Sequence, residues 1–135
     1  MKRFLVDSDF LVAVFRDGDP NHTKAKNILR SLSEQTYVLW AIHLVKQESA
    51  TVISHRVGMD ATKLFVKNVM KDIDQWIQID EKLEEKAWEI FLSQTKKGTS
   101  FIDCANLAAL HYYNLTGILT FDHFYPKKLR INADT

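Results

Sequence analysis

The chain has 135 residues, 46% of them hydrophobic and 26% charged, and its 18 Lys and Arg against 17 Asp and Glu give a net charge of +1. Such a balance describes an ordinary globular protein, of a length expected for one domain that buries its core without covalent staples. It excludes an internal disulfide framework and a cysteine-built zinc site, because Cys104 is the one cysteine. It also gives no global charge to draw nucleic acid, so any such binding must come from local patches or bound metal.

Met1-Lys2-Arg3 is basic, but Asp7 and Asp9 break the apolar run behind it, so no secretory signal is read. No apolar stretch is long enough to cross a bilayer. The expectation is a cytoplasmic protein without a membrane partner. Phe4-Leu5-Val6 has the composition of a strand buried on both faces, and it ends abruptly in Asp7-Ser8. Phe10 to Phe15 reads as a short buried helix, broken by Asp17-Gly18. Asp19 then reads as an N-cap with Pro20 at the first helical position, and Ala25, Ile28, Leu29 and Leu32 give the next helix its apolar stripe. Lys24, Lys26 and Arg30 fall off that stripe, on a solvated face.

Tyr37 to Trp40 is the second expected strand, followed by a helix from His43 to Arg56. Gly58 reads as its C-cap and Asp60 as the next N-cap, ahead of a stripe of Ala61, Leu64, Phe65 and Val69. Trp76 to Ile79 is the third strand. Asp80 caps a helix that turns Leu83, Ala87, Ile90 and Phe91 inward and closes at Gly98. Ser100 begins the last long helix, which runs to about Leu115 with Gly117 as its stop. Ile118 to Phe121 is the fourth strand, and Leu129-Arg130-Ile131 a fifth near an edge. Strands alternating with helices imply an α/β domain over 1–135 with a mainly parallel sheet of four to five strands.

In open parallel sheets, sites form outside the carboxyl ends of the strands. Asp7 and Asp122 both follow apolar runs, so they emerge at one rim if those runs share a sheet. Either one taken alone is equally a turn or N-cap residue. Glu48 shares a helical face with Leu44, Val45 and Val52, on the side that should pack inward. A carboxylate there needs a partner, either a structural salt bridge or a cleft. Asp103 lies three residues after Ser100, the spacing of a capping box, and shares its face with Leu107 and Leu110. Asp7, Glu48, Asp103 and Asp122 crowded together would repel without a cation. All-oxygen ligands favour Mg²⁺ or Mn²⁺ over zinc, and such ions support phosphodiester hydrolysis without histidine or cysteine.

These residues resemble the PIN domain family, and most of all its small VapC-type ribonuclease toxins. The resemblance rests on Phe4-Leu5-Val6-Asp7-Ser8, Glu48, Ser100-Phe101-Ile102-Asp103-Cys104 and Ile118-Leu119-Thr120-Phe121-Asp122-His123-Phe124, in that order across nearly the whole chain. It implies a three-layer α/β/α sandwich and a Mg²⁺- or Mn²⁺-dependent ribonuclease. Asp7, Glu48, Asp103 and Asp122 would be its catalytic and metal-binding acids, with Ser8, Ser100 and Thr120 as supporting hydroxyls. An RNA substrate, a homodimer and an antitoxin partner are implied too. Asp9 is not carried over as catalytic, Asn106, one turn after Asp103, is read as a surface or helix-packing residue ahead of an auxiliary polar group of the site, and His123 as a loop residue. Lys127, Lys128 and Arg130 follow Asp122 closely and are the candidate RNA-phosphate contacts, ahead of Lys96 and Lys97.

Two other classes compete. Asp7-Ser8-Asp9 after an apolar strand resembles haloacid-dehalogenase-type phosphatases, but Leu11 stands where that pattern wants a small or hydroxyl residue, and no supporting lysine is evident. A catalytically silent PIN-like module that binds RNA or protein would be marked by the loss of an acid, and all four are present.

Overall fold

The computed structural model describes residues 1–132. The elements run β1 (Lys2–Val6), α1 (Ser8–Phe15), α2 (His22–Leu32), β2 (Tyr37–Ile42), α3 (His43–Arg56), α4 (Met59–Asp72), β3 (Gln75–Ile77), α5 (Glu81–Leu92), α6 (Phe101–Tyr112) and β4 (Gly117–Leu119). The four strands form one sheet in the order β3-β2-β1-β4, every neighbouring pair parallel. Among the described residues no helix is long and apolar enough to cross a membrane.

Both faces of the sheet are covered, which is why its strands are apolar runs. Phe4, Val6, Ala41 and Leu119 point into one core, closed by Phe10, Ala25, Ile53 and Phe65 from α1 to α4. Leu5, Ile42, Ile77 and Ile118 point into the other, closed by Leu83 and Ala87 of α5 and by Ala105, Ala108 and Ala109 of α6. The alternation along β1 and β4 is the side-chain period of a strand read on two buried faces. The result is the α/β/α sandwich.

The topology creates the crevice. The chain steps outward from β1 to β2 to β3, then crosses back to place β4 on the other side of β1. The strand order therefore reverses between β1 and β4, the switch point at which parallel sheets hold their sites. Asp7 leaves β1 there, its N–H donating to the Leu119 carbonyl at 3.0 Å.

Several boundaries differ from the expected ones. Asp19 does not cap α2: its carboxylate accepts from the Asn21 N–H at 2.8 Å in a local turn, and Asn21 is the N-cap. Gly58, at φ 119°, is the N-cap of α4, while Asp60 lies in the first turn. Leu64 of the α4 stripe is exposed and Thr62 is buried instead. The helix before Gly98 stops at Leu92.

α6 is stopped by Asn114, not Gly117. Asn114 adopts φ 50°, with the Leu115 N–H bonded to the Leu110 carbonyl and its own N–H to that of His111, a Schellman close. Gly117 begins β4 for a different reason: a Cβ there would sit 2.6 Å from both the Leu129 carbonyl oxygen and the Ile131 side chain. The expected fifth strand is a single bridge between Ile118 and Arg130, after a 3₁₀ turn over Lys127–Leu129.

Candidate active site

Asp7 is the N-cap of α1, and its carboxylate accepts from the Ser8 N–H at 2.8 Å. Further bonds come from the Thr120 hydroxyl at 2.8 Å and the Asn106 amide at 3.2 Å. Asp7 is nonetheless only 4% exposed, and desolvation, reinforced by the neighbouring Asp9 charge, pushes its pKa up to about 7. Asp9 reaches across from α1 to accept from the Phe121 N–H at 3.0 Å. Burial raises it too, to about 6, with Asp122 adding repulsion.

The remaining acids arrive from three elements. Ser100 caps α6 by accepting from the Asp103 N–H at 3.1 Å, and the Asp103 carboxylate accepts in turn from the Ser100 and Tyr125 hydroxyls. Burial first and Asp122 second raise the Asp103 pKa. Asp122 follows β4 in a turn tied by its own N–H to the Thr120 hydroxyl and by the Phe124 N–H to its carboxylate. Glu48, half-buried on α3, accepts from the Ser8 hydroxyl. The acids therefore collect at one rim, linked through Ser8 and Thr120. Among the described residues, no three His, Cys, Asp or Glu side chains are placed so that they could together hold a metal ion.

The PIN domain profile matches residues 4–128. The chain belongs to the PIN domain family. The 23S rRNA-specific endonuclease VapC20 of Mycobacterium tuberculosis is 25% identical over 117 residues, spanning 87% of either protein. The crystal structure of M. tuberculosis VapC20, a sarcin–ricin loop cleaving toxin, gives a TM-score of 0.79 at 24% identity, covering 90% of this chain and 91% of that one. VapBC2 of Rickettsia felis, bound to a DNA fragment from its promoter, gives 0.67 at 11% identity, with 89% and 87% covered. Both superpositions show the shared fold.

In this PIN domain three residues enter the site beyond those expected. Asn106 is fully buried, not a surface residue, and its amide donates to Asp7 and to the Tyr125 hydroxyl at 3.1 Å. Tyr125, 1% exposed, donates in turn to Asp103 at 3.4 Å. Burial and the surrounding acids drive its pKa far above the usual phenol value, so it stays a neutral donor. Asp9 is the third. Asn106 had a readable signal, because it lies three residues after Asp103 on the same helical face. Tyr125 had none, since it stands in a loop without periodicity.

Asn106→Leu keeps the branched shape but removes the amide that joins Asp7 to Tyr125. It is expected to cost about 1–3 kcal/mol in urea unfolding. An unchanged midpoint would show that the amide carries no such load.

The donor set fits a hard cation. Every acid offers oxygen, burial and mutual repulsion raise the pKa of three of them, and among the described residues the buried Asn106 side-chain oxygen has no partner. A divalent ion relieves each of these costs. Of the expected RNA contacts, Lys127 and Arg130 line a cavity beside Thr120, whereas Lys128 is exposed and outside it.

Proposed function

We propose that this PIN domain is a Mg²⁺- or Mn²⁺-dependent endoribonuclease and the toxin of a toxin–antitoxin pair. The observation that carries this reading is the convergence of Asp7, Asp103 and Asp122 at the β1–β4 switch point, with Asp7 pushed up to about 7 by burial and Asp9. The kinship with an rRNA endonuclease supports RNA as substrate.

Asp7, Glu48, Asp103 and Asp122 serve as metal ligands and catalytic acids. A divalent ion held by these acids would supply the charge that activates a water and neutralises the phosphate. The water oxygen attacks phosphorus and the bond to the 3′-oxygen breaks. A proton passes to that oxygen, giving 5′-phosphate and 3′-hydroxyl ends. Ser8 orients Glu48, Ser100 fixes the first turn that carries Asp103, and Thr120 holds Asp7 while accepting from the Asp122 N–H. Asp9 is a positioning residue that ties the Phe121 backbone to α1. Lys127 and Arg130, which line the cavity beside Thr120, contact RNA phosphates, whereas Lys128 lies outside it.

The acidic rim also suits an inhibitor: an antitoxin arginine would pair bidentately with these carboxylates and displace the cation. The VapBC2 neighbour, found on promoter DNA, supports such a partner. The same reading includes a cytoplasmic homodimer, for which α4 offers exposed Leu64 and Met70, and α5 exposed Trp88 and Leu92.

Expression in a bacterial host tests the toxin reading. Wild type is expected to arrest growth and Asp103→Asn to leave it normal at equal protein level. Equal growth of both strains would contradict it.

A further inference from the structure

Beside the acids, on the far side of Thr120, lies a cavity of about 550 Å³. Its size falls within the usual range for small-ligand sites. Lys24 of α2, Lys127 and Arg130 line it, and among the described residues no acid does. Among the described residues, none of these three cations is in an ion pair. The Arg130 Nε is buried and among the described residues has no hydrogen-bond partner, an expensive state for a charged group unless something accepts from it. Phe121, a half-buried ring stacked on Phe10 with centroids 5.5 Å apart, forms part of the lining. His123 stands at its edge.

The combination is specific. Three cations ask for an anion, the Phe121 ring asks for a flat partner, and Thr120 makes one wall common to the cavity and to the Asp7 network. A nucleotide one step along the strand from the scissile phosphate meets all three conditions. Single strands are held by cationic grooves with bases stacked on rings. A base inside a duplex is stacked on both faces and is not free to do this.

We propose that this cavity is a flanking-nucleotide subsite for single-stranded RNA, its phosphate held by Lys24, Lys127 and Arg130 and its base laid on Phe121. The proposal rests on the ribonuclease reading above. It assigns Lys24, on a face the sequence gives only a solvating role, to the substrate, and takes Lys128 out of the phosphate contacts.

Fluorescence anisotropy of a labelled single-stranded RNA oligonucleotide tests it, in the Asp103→Asn background where the strand stays intact. Lys24→Ala is the main variant, because Lys24 is exposed on α2 and its loss leaves packing untouched. It is expected to weaken binding about fivefold near 0.1 M salt and to lower the salt slope by about 0.7, the value for one lost phosphate contact on a single strand. Arg130→Lys, which keeps the charge but not the Nε donor, is expected to weaken binding without changing the slope. Lys86→Ala on α5 and Lys128→Ala, both outside the cavity, should leave both quantities as they were.

RNA binding that is present but insensitive to Lys24→Ala and Arg130→Lys would overturn the subsite while leaving the ribonuclease reading standing. Absence of RNA binding in every variant would overturn both. Equal weakening by Lys128→Ala would replace the subsite with a diffuse basic surface.

Discussion

Asp7→Asn is expected to abolish RNA cleavage, by at least ~10³-fold, and at the same time to make the metal-free protein more stable at pH 7.5. The two effects have one cause. Asp7 is 4% exposed beside Asp9, and its folded pKa is pushed up to about 7 from 3.8. A carboxyl raised in this way binds its proton more tightly folded than unfolded. Between about pH 4 and 7 the folded state therefore holds the extra proton, and stability falls as pH rises, by up to roughly 1.4 kcal/mol per pH unit for one proton. Above about 7 the whole cost is present.

The amide substitute carries no charge and loses no bond. Its oxygen keeps the Ser8 and Asn106 donors, and its amide donates to the Thr120 hydroxyl. That hydroxyl then turns its proton to Asp9 Oδ1, at 3.5 Å. The melting temperature of the variant should exceed that of wild type by several degrees at pH 7.5, at ~4 °C per kcal/mol, and the gap should close near pH 4. A variant less stable than wild type at pH 7.5 would mean that Asp7 is ionised and well paired in the metal-free fold.

The second large effect is on metal affinity. Asp7 and Asp9 are held up at about 7 and about 6, and a cation must displace their protons. Apparent Mn²⁺ affinity is expected to climb on the order of a hundred- to a thousandfold from pH 5 to 7.5 and then level off. Titration calorimetry in two buffers of different ionisation enthalpy counts the released protons. Asp7→Asn should bind more weakly and lose the upper part of the slope. Affinity independent of pH over this range would exclude both acids from the site.

The sheet and most of the rim were legible in the sequence because each signal was local. Asp7 closes an apolar run, Asp103 sits at capping distance from Ser100, and Asp122 follows a second run. Glu48 was legible as a carboxylate on an apolar helical face. What was not legible depends on contacts between distant segments. Asp9 looked like a neighbour of Asp7, yet it matters through the Phe121 backbone, 112 residues away. Tyr125 gains its place only when the last loop folds over α6. Gly117 read as a helix stop, whereas its constraint comes from Leu129 and Ile131 crossing close above it. Lys24 read as solvated because the helix period places it outward, and only the returning C-terminal segment turns that face into a cavity wall.

In the proposed function the gathered acids cut RNA through a divalent metal. Cleavage of an RNA substrate by the purified protein, stripped with EDTA and then resupplied with Mn²⁺, tests it most directly. No cleavage is expected in EDTA, with recovery on Mn²⁺ and products bearing 5′-phosphate and 3′-hydroxyl ends. Asp103→Asn should stay silent in both conditions. Undiminished cleavage in excess EDTA would contradict it.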